Sequence, residues 1–393
     1  MNKCRNLLLS SLLFPFLATP AARAGDEIPL ASWKRPIGLP LENPGRGKPS
    51  ISYPHFDDGY WQGAPVGGFG AGTFSRSYRG DFVRWHLKAG AHKYQTVPAN
   101  QFSVYQKTEG GDAVAQVLYA GQPQRRTLPS WQWNYPVSAG DYYALYPKAW
   151  FDYRWEKFPA RLTVEQFSPI LPNNYRETSY PLALYYWHAQ NPSERKVTIS
   201  ILFSWTNMVG WFRDFSPNLD GQINIGNTNG FRFETIAFKG QDSSMKGIVF
   251  DRVRQDSAEE EWDGQFAIAG IEVPGVEITY LATFDASGSG QEIWKPFAQS
   301  GRLPNSELRW VSSGEPLAGA IAVRFTLAPG EKKTIPMVLA WDLPIVRYGQ
   351  GRRWWRRYTD FFGTSGTNAW AIARTGLLQG GEWSAEIDRW QAA

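Results

Sequence analysis

Between Val197 and Trp205 the chain alternates. Val197, Ile199, Ile201, Phe203 and Trp205 fall on one side of an extended backbone, and Lys196, Thr198, Ser200, Ser204 and Thr206 on the other, with Leu202 breaking the strict order. Strand side chains point to opposite faces in turn, so this run predicts a strand with one side for a core and one mostly for solvent. Asn191-Pro192-Ser193-Glu194 before it reads as a turn, preceded by another strand-like run over residues 182–188. Similar runs cover residues 162–170, 231–238, 247–253, 266–273 and 276–284. Ile321, Val323, Phe325 and Leu327 alternate again, and Ala328-Pro329-Gly330-Glu331 turns the chain into an apolar run over residues 334–341. That pattern predicts a β-hairpin.

Many short strands separated by Gly and Pro predict a mainly β protein built as a large antiparallel β-sandwich. No fixed-period repeat is evident, which disfavours a propeller or solenoid. The pattern changes near the C-terminus. Residues 352–358 and 382–390 can be laid on helices, interrupted by Gly363-Thr364-Ser365-Gly366 and Gly380-Gly381. The expected organisation is therefore a sandwich over residues 25–345 and a short helical connector over 346–393. On helices, Trp354, Tyr358 and Phe361 would line one side, and Trp383, Ile387 and Trp390 another. These six residues are the candidates for inter-domain docking. The alternative is that the helices fold back onto the sandwich.

The first residues carry a different signal. Lys3 and Arg5 form a basic start, residues 7–17 are mostly apolar, and Ala22-Arg23-Ala24 ends on small residues. This is the pattern of a secretory signal peptide over residues 1–24, and it predicts a periplasmic or extracellular protein. Cys4 lies within that segment and is the sole cysteine, so the mature chain must hold its fold without disulfides. Removing Lys3, Arg5 and Arg23 lowers the formal charge from +5 to +2. So mild a balance does not suggest nucleic acid as a partner. No later stretch is long and apolar enough for a transmembrane helix. The 393 residues include 19 Trp, 18 Tyr and 23 Phe, enough rings for a wide core and for stacking on sugars.

The remaining motifs are weak. Pro65-Val66-Gly67-Gly68-Phe69-Gly70-Ala71-Gly72 looks like a phosphate-cradling loop, but no helix begins after it and no P-loop lysine follows. Close backbone packing or a bulged strand explains its glycines better. Arg79-Gly80-Asp81 matches an adhesion tripeptide by letter only. His55, His86, His92 and His188 lack metal-ligand spacing, so no metal and no cofactor are expected. The acidic run over residues 256–263 reads as a solvated loop. Glycoside hydrolysis needs two opposed carboxylates, and a linear chain does not give their separation.

Six ordered blocks carry a more specific signal. In the first, the glycine block continues into Tyr78-Arg79-Gly80-Asp81-Phe82-Val83-Arg84-Trp85; Val97-Pro98-Ala99-Asn100-Gln101-Phe102 and Tyr143-Ala144-Leu145-Tyr146-Pro147-Lys148-Ala149-Trp150 are the next two. Phe167-Ser168-Pro169-Ile170-Leu171-Pro172, Ala340-Trp341-Asp342-Leu343-Pro344 and Arg356-Arg357-Tyr358-Thr359-Asp360-Phe361-Phe362-Gly363 complete the series. Together they resemble the N-terminal domain of glycoside hydrolase family 116, the non-lysosomal glucosylceramidase or bile-acid β-glucosidase family. The resemblance runs from about Ile28 to the C-terminus and departs most over residues 211–265. It implies a β-sandwich packed against a C-terminal (α/α)6 barrel that holds a Glu nucleophile and an Asp acid/base, acting by retention on β-glucosides or glycolipids. No position here matches either catalytic motif, so no catalytic residue is assigned, and the barrel is absent from this chain. Three readings stay open: an N-domain fragment or one half of a split enzyme whose partner chain supplies the barrel, a free-standing carbohydrate-binding module, and a structural protein without a ligand.

Overall fold

The two-residue period becomes strands wherever it is sustained. The computed structural model describes residues 28–39, 63–90, 93–123, 127–210, 231–251, 257–306 and 316–392. The predicted signal peptide lies outside them. The first strands are β1 (Trp33–Pro36), β2 (Pro65–Val66), β3 (Thr73–Arg76), β4 (Phe82–His86), β5 (Lys93–Tyr94), β6 (Gln101–Thr108) and β7 (Ala113–Val117). Next come β8 (Gly140–Leu145), β9 (Lys148–Tyr153), β10 (Arg161–Phe167), β11 (Leu182–Gln190), β12 (Val197–Thr206), β13 (Phe231–Ala237) and β14 (Ser244–Phe250). The chain continues through β15 (Gln265–Glu272), β16 (Val276–Asp285), helix α1 (Gln291–Ser300), β17 (Leu317–Leu327) and β18 (Lys332–Asp342). It ends with β19 (Ile345–Tyr348), β20 (Arg352–Trp355) and helices α2 (Thr359–Phe362) and α3 (Ala369–Gln391).

Two antiparallel sheets carry the fold among the described residues. One has nine strands in the order β1-β8-β9-β10-β11-β18-β15-β14-β13, the other five in the order β16-β17-β12-β6-β7. Between them lie Phe102, Trp187, Ile201, Phe203, Val323, Met337, Leu339 and Trp341, all buried. The small sheet β2-β3-β4-β5 adds Phe74, Phe82 and Trp85 to the same core. This is the expected β-sandwich. None of its described helices is long and apolar enough to cross a membrane.

The expected hairpin over residues 321–341 is not one. β17 pairs with β12 and β16, whereas β18 pairs with β11 and β15 in the opposite sheet. A hairpin closed by that turn would pair Val323 with Pro336 and put Val323 and Leu339 on opposite faces. Here both are buried in the shared core, reached from opposite sheets. The turn over residues 328–331 is thus a corner at which the chain changes sheets. The turn between β11 and β12 is another. Asn191 joins the two corners: its side-chain amide donates to the carbonyls of Arg195, Leu327 and Ala328, and its backbone N–H to that of Glu331.

The predicted solvent side of β12 is also corrected. Ser200 and Ser204 are fully buried, because a second layer covers the outer face of the five-stranded sheet. That layer contains Trp131, Trp133 and, from α1, Ile293, Trp294 and Phe297. Alternation marks which residues face the central core, but a covered sheet buries the intervening ones too.

Helix α3 covers the outer face of the nine-stranded sheet in the same way. Ile372, Leu377, Trp383 and Ile387 pack with Phe167, Leu182, Leu184 and Val338. Each such side chain contributes ~1.5–3 kcal/mol when fully buried. The expected break at Gly380-Gly381 does not occur, and the helix runs through it. Gly380 is there for contact: a Cβ on it would lie 2.5 Å from the Tyr186 hydroxyl and 2.6 Å from Leu184. The helix forecast over residues 352–358 is likewise overturned. Gly349, Gln350 and Gly351 all take positive φ and turn the chain back, so β20 pairs with β19. The boundary expected between residues 345 and 346 therefore falls inside a hairpin.

Polar groups fasten both ends of α3. At its start, the Asp342 carboxylate accepts from the Asn368 backbone and side chain and from the Tyr358 hydroxyl. Towards its end, the buried Lys148 ammonium lies 2.9 Å from Glu165 and donates to Ser384, and it also pairs with Asp388. Burial alone would push Glu165 upward, but the adjacent His188 ring and Lys148 outweigh it and hold the carboxyl at about 2.

A depressed carboxyl stabilises the fold fully above its ordinary value of 4.5, and that stability drains away as pH falls towards about 2. Thermal unfolding followed from neutral pH to about pH 2 should show this acid limb in the native chain. Glu165→Gln should lower stability by roughly 3–5 kcal/mol at neutral pH, since the half-exposed Asp388 is then the one anion paired with Lys148 among the described residues, and should flatten the limb. An unchanged limb in the variant would remove Glu165 as its source.

Candidate functional site

The glycine block folds into a loop fastened at every turn. The Gly67 N–H donates to Ser168 Oγ at 2.6 Å, the Gly68 N–H to the Tyr180 carbonyl at 3.1 Å, and the Phe69 N–H to the Thr178 carbonyl at 2.7 Å. The Ala71 carbonyl accepts from Trp341 Nε1 at 2.9 Å. Gly68 is required because its backbone presses on that of residues 178–180: a Cβ would lie 2.4 Å from the Ser179 carbonyl carbon. Close packing is what the sequence led us to expect of these glycines, and the adjoining β3–β4 pair carries a register shift as well.

Arg356 closes the assembly. Its buried guanidinium donates to the carbonyls of Gly70 at 3.0 Å, Leu87 at 2.7 Å and Ile345 at 3.4 Å. Burial lowers its pKa, while the fields of Tyr358 and Glu261 oppose that shift. Four of the six ordered blocks therefore meet here: the glycine loop, Ser168, the Trp341–Pro344 segment and the segment opening at Arg356. The contacts are structural, and they hold a surface in place.

That surface is aromatic and basic. Phe69 at 60% exposure and Tyr175 at 77% flank a cleft of about 300 Å³, completed by Thr178, Ser179 and Arg357. Phe361 lies between two guanidinium groups, Arg176 at 5.1 Å and Arg357 at 5.6 Å from its ring centre. Two residues before Arg357, the β19–β20 hairpin exposes all of Arg352, Arg353, Trp354 and Trp355, with Arg353 4.2 Å over the Trp355 ring. Arginine and tryptophan are the side chains most often found at binding hot spots. β20 also presents an open strand edge among the described residues.

The six sequence-derived docking candidates separate into groups. Trp354 is 54% exposed, but on a strand. Tyr358, Trp383 and Ile387 are buried against the nine-stranded sheet, and Phe361 and Trp390 are partly buried against the same cluster. Of the two expected stripes, the one on α3 therefore faces the sheet, and the one over residues 354–361 is split between an exposed strand and the buried cluster. The sequence reading missed Phe69, Tyr175, Trp355 and Arg356; the only signal for them was their place within or beside the ordered blocks.

Other motifs resolve simply. Asp81 of the Arg79-Gly80-Asp81 turn is fully buried and accepts from Ser77 and Thr96. The acidic run is no solvated loop over its described part. Asp263 accepts from the Glu259 and Glu260 N–H groups, while Glu260 and Glu261 bind Arg347 and so brace the β19–β20 hairpin. His55 and His92 lie outside the described residues, among which no cluster of metal-ligating side chains occurs.

Comparison with known families gives one match over most of the chain. Residues 63–383 match the family model described as beta-glucosidase 2, glycosyl-hydrolase family 116 N-term. Among solved structures, a chain assigned as a kojibiose phosphorylase from the human microbiome aligns over 86% of this protein at 7% identity and a TM-score of 0.31. This protein spans 36% of that chain's length.

Arg356→Ala should leave three carbonyls without their donor, each at a cost of ~1–3 kcal/mol if buried. We expect a large fall in thermal midpoint and faster amide exchange over residues 67–72. Arg356→Lys should rescue only part of this, because an ammonium cannot reproduce the planar fork. Wild-type exchange in the alanine variant would show that the loop holds itself.

Proposed function

Because this chain belongs to the N-terminal domain family of glycosyl hydrolase family 116, we propose that it serves a β-glucoside-cleaving enzyme as its non-catalytic sandwich. Its partner in this reading is an (α/α)6 catalytic domain, on the same or a separate chain, which brings both carboxylates of a retaining mechanism. The sandwich supplies a rigid, basic and aromatic face for that domain. The observation that carries the reading is the convergence of four ordered blocks on the glycine loop, which Arg356 clasps. Such a clasp fixes Phe69 and the start of β20 in space without enclosing any reacting group. Ordering a docking surface in advance lowers the entropy cost of association. The arginines of the face favour an acidic counterpart and the tryptophans an apolar one.

The purified chain should hydrolyse no aryl β-glucoside alone, yet bind the (α/α)6 domain of a family relative supplied separately. Replacing Trp354 and Trp355 together by Ala should leave thermal stability nearly unchanged, since both are exposed, and weaken that binding at least tenfold. Hydrolysis by the isolated chain sinks the non-catalytic role; equal binding by variant and wild type sinks the docking face.

We also propose that the protein works outside the cytoplasm, on the strength of the basic, apolar and small-residue order of its first 24 positions. Terminal sequencing of the exported chain should begin at Gly25. An intact Met1 on the exported or the purely cytoplasmic product overturns this.

A further inference from the structure

Beside the last turns of α3, which reach Glu165 through Ser384 and Tyr146 through Gln391, the outer face of the nine-stranded sheet changes character. Under the helix it offers Phe167, Leu182, Leu184 and Tyr186. Past Glu165 it turns polar. The register of four adjacent strands sets Asp152, Thr163, His188 and Thr334 in one cross-strand row. Side chains at such positions stand about 5 Å apart, so the row is about 15 Å long. Arg161, Gln190 and Lys332 form the next row on the same face.

These rows line a cleft of about 150 Å³, with the buried Trp150 side chain also in its wall. A protein cavity of that size holds a benzene ring, so one six-membered ring fits, with room at the open side for substituents. The polar groups are oriented by one another. Thr163 Oγ1 donates to Asp152 Oδ1 at 3.1 Å, and His188 Nδ1 lies 3.1 Å from Thr334 Oγ1. The hydroxyls, imidazole and carboxylate combine donors and acceptors along one line, with the Gln190 amide in the next row.

We infer that this cleft binds a neutral pyranose ring, separately from the aromatic face described above. A sugar presents hydroxyls that donate and accept in alternation, which the Asp152–Thr163–His188–Thr334 row can match. An anion suits the cleft less well: Asp152 lies within it and Glu165 just beside it. Three cations line it as well, Arg161, Lys332 and Lys333; the charge of Arg161 acts on Asp152, and Lys333 lies 3.7 Å from Glu331. The site is remote from the glycine loop. That loop meets the chain at Tyr180, whereas His188 lies eight positions further on, more than about 20 Å along an extended strand.

Titration of the full chain with the methyl pyranosides of glucose, galactose and mannose, followed by calorimetry and by Trp fluorescence, tests the assignment. Glucuronate and inorganic phosphate serve as separate arms. Saturable binding of at least one neutral glycoside is expected, weakened at least tenfold by Asp152→Ala and by Thr163→Val. Thr334→Val, at the far end of the row, provides an independent variant should either of those fail to fold. Absence of saturable binding to all three glycosides overturns the inference. So does binding undiminished in the folded variants, or preferential binding of glucuronate or phosphate, which would make the cleft an anion site.

Discussion

A guanidinium taken out of water must find hydrogen-bond partners, and Arg356 finds them only where three separate stretches of chain come together. Burying a charge is costly unless its donors are satisfied. Its partners are carbonyls at Gly70, Leu87 and Ile345, so the cost is met only when the glycine loop, the end of β4 and the start of β19 are all in place. This makes the arginine a test of correct assembly as much as a bond. Trp341 extends the same dependence, since its indole both fills the central core and donates to Ala71. The aromatic face is thereby tied to the interior, and its geometry follows from the packing of the sandwich.

Much of the architecture could be read from the sequence, and the failures have particular causes. The strands at β12 and β16 were legible because their apolar residues alternate, with one exception each, over nine positions, and β11 because it is a nearly unbroken apolar run. Partner choice was not. Residues 321–341 carry the local signature of a hairpin, and only the position of the core on both flanks reveals a corner between sheets. Near the C-terminus, Arg352-Arg353-Trp354-Trp355 suits a helix or a strand equally well, and the positive φ angles of residues 349–351 decide for the strand. Gly380 was misleading in the other sense. A glycine that usually weakens a helix was retained where Leu184 and Tyr186 leave no space for a Cβ.

Function followed a different route. Local chemistry was uninformative: the Asp81 turn is buried, the acidic run is a brace, and the glycine loop is a structural fastening. The ordered blocks were informative, because four of them are neighbours in space. What they specify is a rigid support for a surface, which agrees with membership of a family defined by an N-terminal domain. The exposed rings that give the surface its character, Phe69 and Tyr175, could not have been chosen among so many aromatics without the fold.

The position of β18 has a consequence for how the protein is made. This strand lies between β11 and β15 and is the only link between the two halves of the nine-stranded sheet among the described residues. It is also among the last strands to leave the ribosome. Until residues 332–342 emerge, β8–β11 and β13–β15 are separate ribbons, each with an open inner edge and an uncovered apolar face. Pairings this distant in sequence are slow to form and leave nascent chains prone to aggregate. The sandwich cannot close progressively from its N-terminus. It waits for one late strand to insert, followed by the helix that seals the outer face, so premature termination anywhere before Asp342 yields two half-sheets and no domain.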